Sequence, residues 1–225
     1  MIFENFGARR ISLILLWLGF LVYAFAFAPP DDPQTLDLII NLSTGQWDGI
    51  NPLVIALFNI MGVLPVLYCA VVLVDGRGQR VPAWPFAIAS FFLGAFALLP
   101  YLILRQPNPQ FSGELNGNLR LFDSRWLGLG LSLAALVLVG WGVSQGNWAD
   151  FGQQWQTSRF IHVMSLDFCL LSCLFGTLVG DDMARRNLAG KRLFWLVALI
   201  PLFGPLAYLC IRPPLVAGAA VAGEA

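Results

Sequence analysis

The sequence predicts an all-α integral membrane protein of about six spans, arranged as two tandem three-helix units. Three observations point there. The chain is 58% hydrophobic and only 12% charged, whereas a soluble domain carries about 25% charged residues. Six apolar runs approach or exceed about 18 residues, the length of a membrane span: Ile11–Ala28, Asn51–Val74, Ala83–Leu104, Trp126–Val143, Phe160–Gly180 and Leu193–Ile211. A motif also recurs. Tyr101-Leu-Ile-Leu-Arg105-Gln-Pro107 returns as Tyr208-Leu-Cys-Ile-Arg212-Pro-Pro214 at an offset of 107, which also carries Asp75 onto Asp182.

The first run follows Arg9-Arg10 and closes on Pro29-Pro30. It exceeds the 7–15 apolar residues of a signal peptide and is read as a membrane helix. The next stretch holds Asp31, Asp32, Asp37 and Asp48 with no Lys or Arg, and within it Leu36–Leu42 is apolar enough to lie on the membrane surface. The second run opens on Asn51-Pro52, an N-cap followed by proline at the first helical position. Pro65 sits inside it. Arg77 and Arg80 mark the turn before the third run, which ends near Pro100, Tyr101 and Arg105. Residues 1–106 form the first unit, 107–125 a polar linker, 126–214 the second unit and 215–225 a flexible tail. Three spans per unit is odd, so the second unit is expected to lie inverted. That assignment puts six basic residues on one side and seven on the other, and the positive-inside rule then chooses neither orientation.

Composition narrows the function. Net charge is zero and no dense basic cluster favours nucleic acid. The chain has no HExxH, GxSxG, P-loop or CxxC. Its single histidine and four cysteines do not make a zinc site. A non-enzymatic role is expected, with the lipid bilayer and a larger membrane complex as partners.

Asp167 is the sharpest signal, because a carboxylate inside a span requires a partner or water. It is the ion or proton candidate, with Asn59 at the matching depth of the second run. His162 is the pigment-ligand candidate, an imidazole able to bind chlorophyll axially. Ser165, Cys169, Ser172 and Gly176 continue its helix face as a stripe of small residues. That stripe is expected to meet Gly62, Pro65 and Cys69, most closely at Gly62 and Cys169. Tyr101 with Arg105, and Tyr208 with Arg212, are four apart and suit snorkelling, lipid headgroups or an acidic partner.

Asn51-Pro52, Asp75, Pro100-Tyr101-Leu102 and Arg105, with Asp167, Asp182, Pro205, Tyr208-Leu209 and Arg212, also resemble a bacterial three-helix membrane family of unknown function. The duplicated form is similar to uncharacterised membrane proteins of cyanobacteria and plastids. That resemblance implies a photosynthetic membrane, the thylakoid or the cyanobacterial inner membrane, and implies no chemistry. The leading expectation is therefore a non-catalytic accessory or assembly factor of a larger, photosynthetic membrane complex. The alternatives are a small inverted-repeat transporter or channel using Asp167, and a chlorophyll-binding protein using His162.

Overall fold

The computed structural model describes residues 4–111, 115–188 and 190–215; most of the expected tail, 216–225, lies outside them. The described chain is all helical. Four segments are long and apolar enough to cross a membrane: Gly7–Phe27, Pro52–Asp75, Arg125–Gln145 and Arg159–Arg185. They correspond to helix α1 (Glu4–Val22) with its π-helical last turn Tyr23–Phe27, to α3 (Pro52–Asp75), to α7 (Arg125–Gln145), and to α9 (Arg159–Leu174) continued by α10 (Gly176–Arg185).

The other two apolar runs do not form single helices of span length. The third run splits at Gly94 into α4 (Trp84–Leu93) and α5 (Ala95–Leu104), each about 15 Å long and so about half a bilayer. Gly94 takes φ +52°, a backbone conformation that favours glycine. The chain reverses there. Entry and exit lie side by side: Phe86 and Tyr101 rings are 5.9 Å apart. Gln79 donates to the Gln106 carbonyl at 2.7 Å, while Gln106 N–H donates back to Gln79 at 2.8 Å. The sixth run behaves alike. Helices α11 (Lys191–Leu199) and α12 (Phe203–Ile211) meet at a turn through Pro201 and Leu202, where Leu202 has φ 59°. Helix α11 runs back along α10, packing Ala198 over Gly176 and Phe194 over Gly180.

Both hairpins enter and leave at one end of the molecule. In place of the expected six spans the described residues form four helices of span length and two helical hairpins. The expected inversion rests on three spans per unit, and each half instead has two span-length helices and one hairpin. The charges are one-sided: of thirteen Lys and Arg, twelve lie at the hairpin end and Arg159 alone lies at the other, the bias that the positive-inside rule associates with a cytoplasmic face.

Short helices cover the opposite end: α2 (Thr35–Thr44) in the acidic segment and α8 (Trp148–Thr157) in its later counterpart. Asn51 caps α3 by accepting from Leu53 N–H at 3.1 Å, and its amide donates to Asn147 O and Asp150. Helix α3 is the most buried of the four span-length helices and continues unbroken through Pro65. The linker is partly ordered as α6 (Gly117–Asp123), which packs against α3.

Two seams between long helices differ. Along α3 and α7 the backbones approach closely: a Cβ on Gly142 would fall 2.6 Å from Ala56 Cβ, and one on Gly146 2.4 Å from Leu53. Helices α1 and α9 instead flank an open groove of about 580 Å³, with Gly19 and Phe20 on one wall and Leu166, Cys169 and Cys173 on the other.

Candidate functional site

At the hairpin end of the molecule the two hairpin exits are held by two ionic clusters. Asp75 ends α3 and is fully buried. It accepts from Tyr101 Oη at 2.6 Å, from Arg105 Nε at 2.7 Å and from Arg105 Nη2 at 2.6 Å. Arg105 also pairs with Asp181. Asp182, in α10, accepts from Tyr208 Oη at 2.7 Å and from Arg212 Nη1 at 3.2 Å. The spacing is the same in each: 26 residues from Asp to Tyr and 30 from Asp to Arg. Arg185 joins the clusters, at 3.1 Å from Asp75 and 3.6 Å from Asp182.

Arg186 enters only the second cluster. Its Nε donates to Asp182 at 2.9 Å, and its Nη2 lies 2.7 Å from Asp123. Burial works to lower the pKa of Arg105, but the bonds and charge of Asp75 and Asp181 outweigh it and hold the guanidinium above its ordinary value. Arg186 is likewise raised, because Asp182 and Asp123 overcome its burial. Arg212 ends lowered: burial dominates, and the Arg186 charge beside it offsets part of the help from Asp182.

These contacts correct the expectation for Tyr101, Arg105, Tyr208 and Arg212. All four are at most 1% exposed and bind internal carboxylates rather than lipid headgroups. A buried arginine needs a paired charge and full hydrogen bonding, and a carboxylate at the end of the preceding span supplies them.

At mid-depth, Asp167 meets the tip of the first hairpin. Its Oδ1 accepts from Ala95 N–H at 2.7 Å. Ala95 is the first residue of α5, so the carboxyl caps that helix within the membrane, where the exposed N–H groups favour an acceptor. A Cβ on Gly94 would fall 1.7 Å from Asp167 Oδ2, so only glycine admits the carboxyl. Oδ2 makes no hydrogen bond among the described residues and is not sealed from open space. Asp167 lines a groove of about 510 Å³ whose walls include Phe25, Phe58, Phe91, Phe92, Phe96 and Phe160. Phe92 is 85% exposed, so the groove opens sideways toward the lipid. At the opposite end of the molecule its mouth carries Arg159, paired with Asp31 at 3.3 Å. Along α9 that is about 12 Å from Asp167.

The remaining candidates do not join this site. Asn59 donates to Ile55 O in its own helix at 2.8 Å and is not paired with Asp167. His162 has both ring nitrogens engaged, Nδ1 with Trp155 O at 2.8 Å and Nε2 with Tyr23 Oη at 2.9 Å. A carbonyl only accepts, so Nδ1 carries the proton and Nε2 spends its lone pair on Tyr23. That leaves no nitrogen for a pigment metal.

The small-residue stripe is corrected too. Gly62 and Cys169 are exposed and do not mark the closest approach. Gly176 packs on Ala198 of α11, Ser165 donates to Ile161 O in its own helix, and Ser172 is buried without a partner. Pro65 and Cys69 are buried in α3. Helix α3 meets α9 instead through Phe58 against Phe160 and through Tyr68 Oη donating to Leu171 O. All four cysteines are free thiols, and no cluster of His, Cys, Asp and Glu among the described residues could hold a metal ion.

Sequence reasoning passed over Asp123, Asp181, Arg185, Arg186 and Gly94. The four charges read as turn residues; the available signal was Arg186 four residues after Asp182, on one helix face. Gly94 was signalled only by its position midway along a run of span length. No family model, curated protein or solved structure matches this chain.

Proposed function

We propose that this chain is a non-catalytic membrane protein that takes a bilayer-dissolved molecule sideways into the groove at Asp167. It is built as two parallel copies of a unit of two spans and one re-entrant hairpin. One observation carries the reading: a buried mid-depth carboxyl uses one oxygen to cap α5 and offers the other to an aromatic-walled, laterally open groove. Binding sites of this kind pair an apolar lining with a few placed polar groups. From Asp167 toward the cytoplasmic end the packing consists of Tyr68, Leu98, Leu99, Leu171 and Phe175, all at most 1% exposed, which favours a binding pocket over an ion-conducting path.

Native mass spectrometry of gently extracted protein tests this. Wild type is expected to carry a small lipophilic molecule, and Met61→Trp, which fills the groove wall, to lose it. Equal occupancy in both proteins would remove the reading.

A second reading rests on the open seam between α1 and α9. There the protein acts as an accessory or assembly factor, and an apolar helix of a larger membrane complex fills the groove between α1 and α9, whereas α3 and α7 pack directly on each other. The family resemblance adds a photosynthetic membrane to this reading. A native gel of mildly solubilised host membranes tests it: migration with a large complex supports it, and a small, discrete band counts against it.

A further inference from the structure

We infer that the molecule held at Asp167 is a lipophilic cation, an aromatic or alicyclic amine whose protonated nitrogen reaches Oδ2; this rests on the groove-binding reading. The carboxyl is 6% exposed, and its one hydrogen bond is to a neutral backbone N–H. Arg159 is the one basic residue lining this groove, and it is at the mouth, held by Pro29 O and Asp31. A carboxylate so placed lacks a counter-charge, and in a weakly screening interior an opposite charge within bonding distance is worth far more than in water.

The walls add the second half of the recognition. Six phenylalanines line the groove that holds this carboxyl, and aromatic faces attract a cation that has shed its water. The groove volume of about 510 Å³ admits a two- or three-ring molecule, and the lateral opening at Phe91 and Phe92 lets it enter from lipid. A neutral alcohol of the same shape would keep the hydrogen bond and lose the ionic attraction.

The test compares anthracenylmethylamine with anthracenylmethanol, two fluorescent probes of one shape, on the full chain in nanodiscs of zwitterionic lipid at neutral pH. The amine is expected to bind at least about tenfold more tightly, and Asp167→Asn to abolish that preference; asparagine still caps α5, so the fold is retained. If that variant fails to fold, the wild-type preference and its loss when Met61→Trp fills the groove still decide. Equal binding of amine and alcohol, displaced by the Met61→Trp change, would overturn the cation inference while leaving the groove-binding reading standing. Failure of both probes to bind would overturn the two together.

Discussion

The clusters around Asp75 and Asp182 contain the same three residue types at the same spacings, yet they bond differently. In the first, Arg105 closes on the carboxylate with two bonds, at 2.7 and 2.6 Å. In the second, Arg186 takes the side-on position and Arg212 is left with one bond of 3.2 Å. Arg212 spends its other amino group on the carbonyls of Ala70 and Phe122, and its Nε is buried without a partner. One sequence difference bears directly on this: Arg186 occupies the position that, 107 residues earlier, holds Gln79, and Gln79 binds the Gln106 backbone instead. A spacing motif fixes which chain ends meet; the neighbouring residue decides how the charge is shared.

The comparison breaks most sharply at Arg105. Arg105→Ala leaves Asp75 buried with Arg185 as its remaining salt-bridge partner among the described residues, and is expected to cost about 3–5 kcal/mol, the range for breaking a buried pair. Reversible unfolding in mixed detergent would measure it. Arg212→Ala is expected to cost less, about 1.5–3 kcal/mol as for hydrogen bonds to a charged group, because Arg185 and Arg186 still face Asp182. The contrast sharpens in an Arg186→Ala background. If Arg186 displaces Arg212, removing Arg212 there should cost as much as removing Arg105 does in wild type; an unchanged cost would refute the displacement. Smallest is Tyr208→Phe, which deletes one hydrogen bond and should cost about 1 kcal/mol, matching Tyr101→Phe because the two phenols bond alike.

Much of this architecture was legible in the apolar pattern, and the part that was not has a physical reason. All six apolar runs form helices. Hydropathy registers twenty apolar residues identically whether they run straight or turn back, so α4 with α5 reads as one span. The cue was geometric. Asp75 and Arg105 stand at the two ends of one apolar run together with its preceding turn, and they can meet only if that run doubles back on itself. Snorkelling looked natural for Arg105 while its end of the run was placed on the far side of the membrane. Asp167 was legible as a carboxylate needing a partner. Its partner was not, because the donor is the backbone N–H of Ala95, exposed by a helix start that the sequence marks only with Gly94. The two-sided engagement of His162 depends on Tyr23, which α1 brings to α9 across 139 residues, a distance no local pattern spans.

The central claim is that both hairpins start and finish at the cytoplasmic face. Single cysteines placed in a cysteine-free background at Arg80, Gln110, Asn187 and Pro214, with Gln46 and Gln153 for the other face, test it through labelling by a membrane-impermeant maleimide in intact cells and in inverted vesicles. The account predicts that the first four react only in inverted vesicles and the last two only in cells. Labelling of Arg80→Cys and Gln110→Cys from opposite sides would contradict it, because the third apolar run would then be a span.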